Sequence, residues 1–185
     1  HSGDNIWVNE TGERFCAENS GDENWMALMI PTLAHQKTYS IFDRAAFEEN
    51  VKNIAFPAKS YEEDIAEMEE RFATNPYNDA FMDDTIEGLV KKVCAAIPEI
   101  KEETLLNTIN HYNEMCRNGK DTDFGKPEKY MKELKNPPFY FIYIPQAVMV
   151  TFGGIHVNRK FECVDANEKP IPGLYAIGVD SAELC

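Results

Sequence analysis

Three amphipathic helices in a row, flanked by strand-like segments, constrain the fold of this chain more than any other feature. Ser60 and Glu63 match the S-x-x-E capping box, and the apolar residues after them recur at helical spacing. Two further helices are predicted over 85–97 and 102–117. Because helices and strands are segregated along the chain, the sequence predicts an α+β fold with short strands at both ends and a helical middle.

The predicted strands are short and are separated by turn residues. Near the N-terminus, Ile6–Asn9 and residues 14–16 flank a turn in which Gly12 can adopt the positive φ of a tight reversal, so a hairpin is expected. The apolar run 25–30 is typical of a short helix that ends at Pro31. The other predicted strands cover residues 38–43, 139–144, 149–152, 155–158, 161–165 and 174–177.

The charge of the chain excludes two classes of partner. Lys and Arg number 18 against 32 Asp and Glu, a formal net charge of −14, which repels nucleic-acid phosphates and anionic lipids. No apolar run approaches the ~20 residues of a membrane span, and the first residues resemble no signal peptide. We therefore expect a soluble piece without nucleic-acid or membrane partners, and the location of its parent protein, cytoplasmic or exported, stays open.

Metal binding and the best-known catalytic motifs are also absent from the sequence. The five cysteines are widely spaced and form no C-x-x-C pair, so buried free thiols are expected. The histidines have no metal-ligand spacing, and no metal is predicted. The chain has no G-x-G-x-x-G turn of a Rossmann dinucleotide-binding domain and no G-x-S-x-G of a hydrolase.

Three motifs in a fixed order carry a family resemblance. Residues 8–18 read V-N-E-T-G-E-R-F-C-A-E, residues 137–140 and 151–155 read P-P-F-Y and T-F-G-G-I, and residues 170–178 read P-I-P-G-L-Y-A-I-G. Together they resemble the FAD-binding family that contains soluble fumarate reductases, succinate dehydrogenase flavoproteins and 3-ketosteroid dehydrogenases.

The resemblance implies a severed part of a larger flavoprotein. Residues 1–172 would be a partial substrate-capping domain, and residues 173–185 would begin the C-terminal part of the FAD-binding domain, whose Rossmann part is lacking. The expected function is an FAD-dependent oxidoreductase that reduces or desaturates a C–C bond next to a carbonyl or carboxylate. The cap's partners would be its own FAD-binding domain and a small-molecule substrate, and this piece alone is expected to be inactive and to retain no FAD.

The same resemblance implies candidate site residues. Glycines in the T-F-G-G-I loop would let backbone N–H groups approach the flavin ring. Arg14 and Glu18 either pair within the predicted hairpin or line the substrate pocket, and Tyr140 either donates a hydrogen bond to substrate or packs. The substrate- or flavin-proximal candidates are Arg14, Glu18, Tyr140, Thr151, Phe152, Gly153 and Gly154, and the cofactor-binding candidates are Gly178, Val179 and Asp180.

Two positions depart from the fumarate reductase pattern. The Arg that acts as the acid in those enzymes corresponds to Asp22, and the His that grips a substrate carboxylate corresponds to Val150, so the catalytic residue stays unassigned. Each lost charge-assisted hydrogen bond is worth ~1.5–3 kcal/mol, which predicts a less anionic, enone-like substrate. Two alternatives stay open. The first is a ketosteroid-dehydrogenase-like enzyme, whose apolar substrate Val150 and Phe152 would suit. The second is a flavin-free binding domain, in which the strand in 173–185 would have no FAD-binding domain to pack against.

Overall fold

The computed structural model describes residues 4–19, 31–53, 59–145 and 154–182, which divide between unit 1, His1–Gln146, and unit 2, Ala147–Cys185. In chain order, the helices and strands of unit 1 are β1 (Ile6–Asn9), β2 (Thr38–Asp43), α1 (Arg44–Lys52), α2 (Tyr61–Thr74), β3 (Ala80–Asp83), α3 (Ile86–Ala96), α4 (Glu102–Arg117) and β4 (Phe139–Ile144). Those of unit 2 are β5 (Ile155–His156), β6 (Glu162–Val164), β7 (Pro170–Tyr175) and β8 (Ser181–Ala182).

The described strands of unit 1 form one antiparallel sheet in the order β1-β2-β4-β3. Ile41 of β2 lies opposite Phe141 of β4, and Phe141 lies opposite Phe81 of β3. Helices cover both faces of the sheet, so β4 is a continuous apolar run and all six residues of β2, including Thr38 and Ser40, are buried. The fold is therefore mixed α and β, as predicted, but β3 interrupts the helical middle that the sequence indicates.

Each face of this sheet has its own core. On one face, Tyr39, Ile41 and Phe141 pack against the apolar stripes of α3 and α4. On the other face, Phe42 and Tyr140 pack against α1 and α2. Burial of these large apolar side chains contributes ~1.5–3 kcal/mol each, so the two cores supply most of the stability of unit 1.

Local signals explain the helix ends. The predicted capping box is present: Glu63 N–H donates to Ser60 Oγ at 3.3 Å, and Ser60 N–H donates to the Glu63 carboxylate at 2.9 Å. The sequence does not predict helix α1, although Asp43 caps it by accepting a hydrogen bond from Ala46 N–H at 3.0 Å. Asp43 also ends β2, so strand and helix adjoin each other without a loop that would mark the change.

The predicted N-terminal hairpin is wrong in its second strand. The turn itself forms, with Gly12 at a φ of +87° and its N–H donating to Asn9 O at 3.0 Å. Only an isolated bridge between Val8 and Arg14 comes after it, and the antiparallel partner of β1 is β2. The chain leaves the sheet at Arg14, because the guanidinium of this residue forms ion pairs with the buried carboxylates of Glu18 and Asp121.

Unit 2 contains an antiparallel pair, β6 with β7, and a parallel pair, β5 with β8. The β6–β7 turn is closed by Asp165 Oδ1, which accepts from Asn167 N–H at 2.8 Å and from Lys169 N–H at 3.0 Å. Strand β7 begins four residues before the predicted strand 174–177, because an exposed edge tolerates prolines that donate no ladder hydrogen bond. The predicted domain boundary at 172/173 falls inside β7 and stays a prediction.

Two predicted elements, the helix over 25–30 and the strand over 149–152, lie outside the described residues. Within the described ranges, no helix is long and apolar enough to cross a membrane, and no group of His, Cys, Asp and Glu side chains could hold a metal ion. Cys16 and Cys163 are buried free thiols, and Cys94 and Cys116 are half-buried free thiols. Burial raises the pKa of Cys16 to about 12, so this thiol is unreactive at neutral pH.

Candidate functional site

A tight turn in unit 2 contains the predicted cofactor-binding residues. Residues Gly178–Asp180 form a single 3-10 turn, and Gly178 has a φ of +63°. The Ser181 hydroxyl donates to Gly178 O at 2.8 Å and closes the turn. A Cβ at residue 178 would meet no atom within 4 Å, so the glycine is required by its backbone conformation and leaves open space beside the turn.

Gly154, from the T-F-G-G-I motif, lies directly against this turn. An added Cβ on Gly154 would sit 2.5 Å from Asp180 O and 2.9 Å from the carbonyl carbon of Ser181, closer than real side chains come. The next residue, Ile155, pairs in parallel with Ser181. Gly154 and the turn that begins 24 residues later at Gly178 therefore meet at one place, which we call the glycine junction (Gly154 with Gly178–Ser181).

The two glycines of the glycine junction contribute no side chains, so they leave its backbone uncovered on their side. Apolar side chains near it in sequence are exposed, with Leu174 45%, Tyr175 61% and Ile177 68% accessible. Exposed apolar side chains of this size, grouped in a short segment, indicate a surface that another part of a protein covers.

Arg14 and Glu18 belong to a second cluster, which lies inside unit 1. Arg14 Nε and Nη2 donate to the two carboxylate oxygens of Glu18 at 2.8 and 3.0 Å, and Nη2 also donates to Asp121 Oδ2 at 2.7 Å. Lys126 Nζ lies 3.1 Å from Glu18 Oε2 and donates to Tyr112 Oη at 2.9 Å. These four charged side chains, here called the buried ion cluster (Arg14, Glu18, Asp121, Lys126), are each at most 4% exposed.

Electrostatics keeps the buried ion cluster charged. Burial alone would raise the pKa of Asp121, but hydrogen bonds from Arg14 and from backbone N–H groups lower it to about 2. Burial lowers the pKa of Lys126, and the carboxylate of Glu18 counteracts this shift. The guanidinium of Arg14 also lies over the rings of Tyr112 and Phe124, at 5.1 Å from each ring centroid. Two basic and two acidic side chains thus face each other at a site where each is at most 4% exposed.

This geometry supports the structural alternative for Arg14 and Glu18. Both oxygens of Glu18 accept hydrogen bonds, and Trp7 N–H adds a third at 3.0 Å. The cluster joins the segment after β1 to the loop that comes after α4, across 107 positions of sequence between Arg14 and Asp121. Contact of either residue with a substrate stays a prediction.

Tyr140 lies in the core of unit 1. It is fully buried, and its ring is 4.8–5.3 Å from those of Phe42, Phe47 and Phe72. Its hydroxyl has no hydrogen-bond partner in the part of the chain that the structure describes, and burial raises its pKa, against the effect of the Arg44 guanidinium. Packing in the core therefore explains the position of the Tyr140 ring. The contact of its hydroxyl with a substrate stays a prediction.

The structure brings together some predicted site residues and not others. Gly154, Gly178 and Asp180 meet at the glycine junction, whereas Asp22 and residues 151–153 lie outside the described residues. Sequence reasoning missed the pairing of Asp121 with Arg14 and of Lys126 with Glu18. The only sequence signal for this pairing was the charged run after α4. In the structure Asp121 accepts hydrogen bonds there from the backbone N–H groups of residues 123 and 124. A turn of this kind can be predicted, but it does not identify an ion-pair partner far along the chain.

Comparisons with known proteins agree with the motifs. A family model described as "FAD binding domain" matches residues 5–184. The vinyl phenol reductase of Lactiplantibacillus plantarum is 30% identical over 188 residues, which cover 97% of this chain and 36% of that protein. The fumarate reductase (cytochrome) of Shewanella frigidimarina is 34% identical over 94 residues, 51% of this chain and 16% of that protein.

Among solved structures, the 3-ketosteroid delta1-dehydrogenase from Sterolibacterium denitrificans matches with a TM-score of 0.65 and 23% identity. The match covers 96% of this chain and 33% of that one, and at this identity it shows a shared fold only. In each comparison the chain spans about a third or less of its relative's length.

Proposed function

The chain belongs to the family of FAD-binding domains, and from this premise we propose that it is the capping region, with an adjoining flavin-side segment, of a larger FAD-dependent oxidoreductase. In this proposal unit 1 closes over the substrate and unit 2 contributes to the cofactor site. The rest of the FAD-binding domain would cover the exposed apolar side chains of unit 2.

The observation that carries the proposal is the glycine junction. Gly154 lies so close to Asp180 and Ser181 that any side chain would displace them, while the space beside Gly178 is open. These residues would hold FAD through backbone groups and the Asp180 carboxylate. When bound and reduced by an electron donor, the flavin would supply a hydride equivalent to an activated C=C bond, a proton would complete the reduction, and the residues of this chain would exclude water and orient the substrate.

A neutral unsaturated substrate fits the chain better than fumarate. The Arg and His that serve the fumarate reductases correspond to Asp22 and Val150, so two cations are replaced by an anion and an apolar group. The match to vinyl phenol reductase extends over 97% of the chain, whereas the match to the Shewanella fumarate reductase covers 51%. We therefore propose reduction of the C=C bond of a neutral substrate, either a vinylphenol or an enone.

The substrate proposal is tested with the full-length protein. With a chemically reduced viologen as electron donor, 4-vinylphenol should be reduced at least about tenfold faster than fumarate, because the missing contacts are together worth several kcal/mol. The Val150→His variant should lower the ratio of the 4-vinylphenol rate to the fumarate rate, because the added histidine should improve fumarate binding. Fumarate reduction at the faster rate by the unmodified protein would contradict the proposal.

The cofactor proposal has a separate measurement. In the full-length protein, Gly154→Val should lower the bound FAD measured by visible absorbance, because the side chain would displace Asp180 and Ser181. Lys160→Val, at an exposed turn of unit 2, is the matched control and should leave the FAD content unchanged. The 185-residue chain, incubated with excess FAD and separated from it, should be colourless, whereas a retained flavin spectrum would show that this chain holds FAD alone.

A further inference from the structure

An apolar groove of about 350 Å³ lies on the α1 and α2 side of the sheet in unit 1. Strands β1, β2 and β4 form its floor, and α1 and α2 form its wall. Its main apolar lining residues are Trp7, Phe42, Phe47, Met68, Ile142 and Ile144. The volume is at the lower end of the range for small-molecule sites, which suits a ligand with a single ring.

One polar side chain interrupts the apolar floor. Ser40 stands between Trp7 on β1 and Ile142 on β4, its cross-strand neighbours. It is 4% exposed, and its hydroxyl oxygen finds no hydrogen-bond partner among the residues that the structure describes. A buried hydroxyl without a partner carries a desolvation penalty that an alanine or valine at the same strand position would avoid.

The rim of the groove offers neutral polar groups. Asn50 Nδ2 donates to Asn5 Oδ1 at 3.2 Å, and both side chains line the groove. No Lys, Arg, Asp or Glu is among its described lining residues. A charged ligand would lose its hydration here without gaining a counter-ion, so the lining selects neutral molecules.

From these observations we propose that the groove is a binding site for a small neutral aromatic molecule that carries a hydroxyl or carbonyl group. The ring of the ligand lies against the aromatic and aliphatic lining, and its oxygen pairs with the Ser40 hydroxyl. All described lining residues belong to unit 1, and the proposal goes beyond the proposed oxidoreductase activity and does not depend on it.

The test compares two ligands that differ by one hydroxyl, p-cresol and toluene. In a Trp25→Phe variant of the 185-residue chain, Trp7 is the only tryptophan and its fluorescence reports binding to the groove. We expect saturable binding of both ligands, tighter for p-cresol. Ser40→Ala should weaken p-cresol about five- to tenfold, as expected for one lost hydrogen bond, and leave toluene unchanged.

Two controls make the result specific. Tyr143→Phe removes a hydroxyl from the opposite face of the sheet and should change neither affinity. Ile144→Arg places a charge in the groove and should abolish binding of both ligands. Thermal unfolding of the ligand-free Ser40→Ala variant should show equal or higher stability, because the substitution removes an unpaired hydroxyl.

Three outcomes would overturn the proposal. The first is the absence of saturable p-cresol binding, and the second is an equal effect of Ser40→Ala on both ligands. The third is binding by the 185-residue chain but not by the full-length protein, since the groove would then be a surface that another part of the longer protein fills. These binding measurements use no electron donor, so they fail or succeed independently of the proposed reaction.

Discussion

Strands β2 and β7 have the same length and opposite surroundings. All six residues of β2 are buried, with helices over both faces of its sheet, and all six residues of β7 are exposed although they include Ile171 and Leu174. Burial of apolar area is the main favourable term in folding, so β2 obtains its stabilisation within unit 1. The apolar side chains of β7 gain theirs only when another surface covers them.

Charged residues show the same difference. Unit 1 encloses the buried ion cluster, in which each charge has a partner within 3.1 Å. In unit 2 the described contact of this kind, between His156 Nδ1 and Glu168 Oε1, is 3.5 Å long and solvent-exposed. Removing one member of a buried pair leaves an uncompensated charge, whereas an exposed pair contributes little. Substitutions in the two kinds of pair should therefore differ sharply in their effect on stability.

The largest expected effect comes from Arg14→Met. The substitution leaves Glu18, Asp121 and Lys126 buried with an excess negative charge, which should reduce the free energy of unfolding of unit 1 by about 3–5 kcal/mol. Urea unfolding of the 185-residue chain, followed by the near-UV signal of its aromatic residues, measures the change.

A matched control separates burial from charge. Lys59→Met removes a cation whose ion pair with Glu67 is exposed, and the free energy of unfolding should change by less than about 1 kcal/mol. Equal losses for Arg14→Met and Lys59→Met would contradict the contrast between buried and exposed pairs.

A second, smaller effect depends on pH. The folded-state pKa of Asp121 is about 2, below the ordinary value of about 4 in an unfolded chain. The carboxylate therefore stabilises the folded state above about pH 4, and this contribution, on the order of 2 kcal/mol, is lost as the pH falls toward 2.

The variant Asp121→Asn isolates this contribution, because the low pKa of Asp83 adds its own pH dependence to the parent protein. The difference in unfolding free energy between parent and variant should be largest near neutral pH and shrink between pH 4 and pH 2. A difference that stays constant over this range would show that Asp121 is not an ionised partner of Arg14.

The sequence predicts local features of unit 1 well. Helix α2 begins directly after its predicted cap, Ser60, and the predicted bounds of α3 and α4 agree with the structure within a residue, since apolar spacing and caps act within a few positions. The sequence does not predict helix α1, because the same residue, Asp43, ends strand β2 and caps the helix. It does not predict β3, because this strand has only four residues. Short elements whose partners lie elsewhere in the chain carry little signal of their own.

The residues of the candidate site also fall into two groups, those that the sequence identifies and those that only the structure brings together. Gly154 and Gly178 are identifiable because they belong to motifs with a family resemblance, although the close approach of Gly154 to Asp180 and Ser181 becomes visible only in the structure. The pairing of Arg14 with Asp121 and of Glu18 with Lys126 depends on how the loop after α4 packs, and no spacing rule predicts that. Sequence reasoning thus recovers backbone-defined positions and misses the partners brought together by tertiary packing.

Turn strain in unit 2 provides a third, smaller test. Glu168 has a φ of +61°, a conformation that is unfavourable for residues with a Cβ, so Glu168→Gly should raise the stability of the β6–β7 hairpin by about 0.5–1 kcal/mol. Loss of the exposed contact with His156 should matter little. Hydrogen exchange of the Lys169 and Ala176 amides measures the change in stability. The control Asn167→Gly, at a position without positive φ, should lower the stability of the hairpin.

The smallest expected effect on folding comes from Leu174→Ser on β7. A buried leucine such as Leu105 should cost about 2–5 kcal/mol when replaced by serine, but Leu174 is 45% exposed, and its loss should change the unfolding free energy by less than about 0.5 kcal/mol. The same substitution should reduce self-association of the 185-residue chain in sedimentation experiments, because it removes part of an apolar surface. In the full-length protein, where the proposed FAD-binding domain would cover β7, Leu174→Ser should instead lower stability measurably. An equal, small effect in both proteins would mean that β7 remains exposed in the longer chain, and the contrast between β2 and β7 would then reflect a permanent surface of the protein.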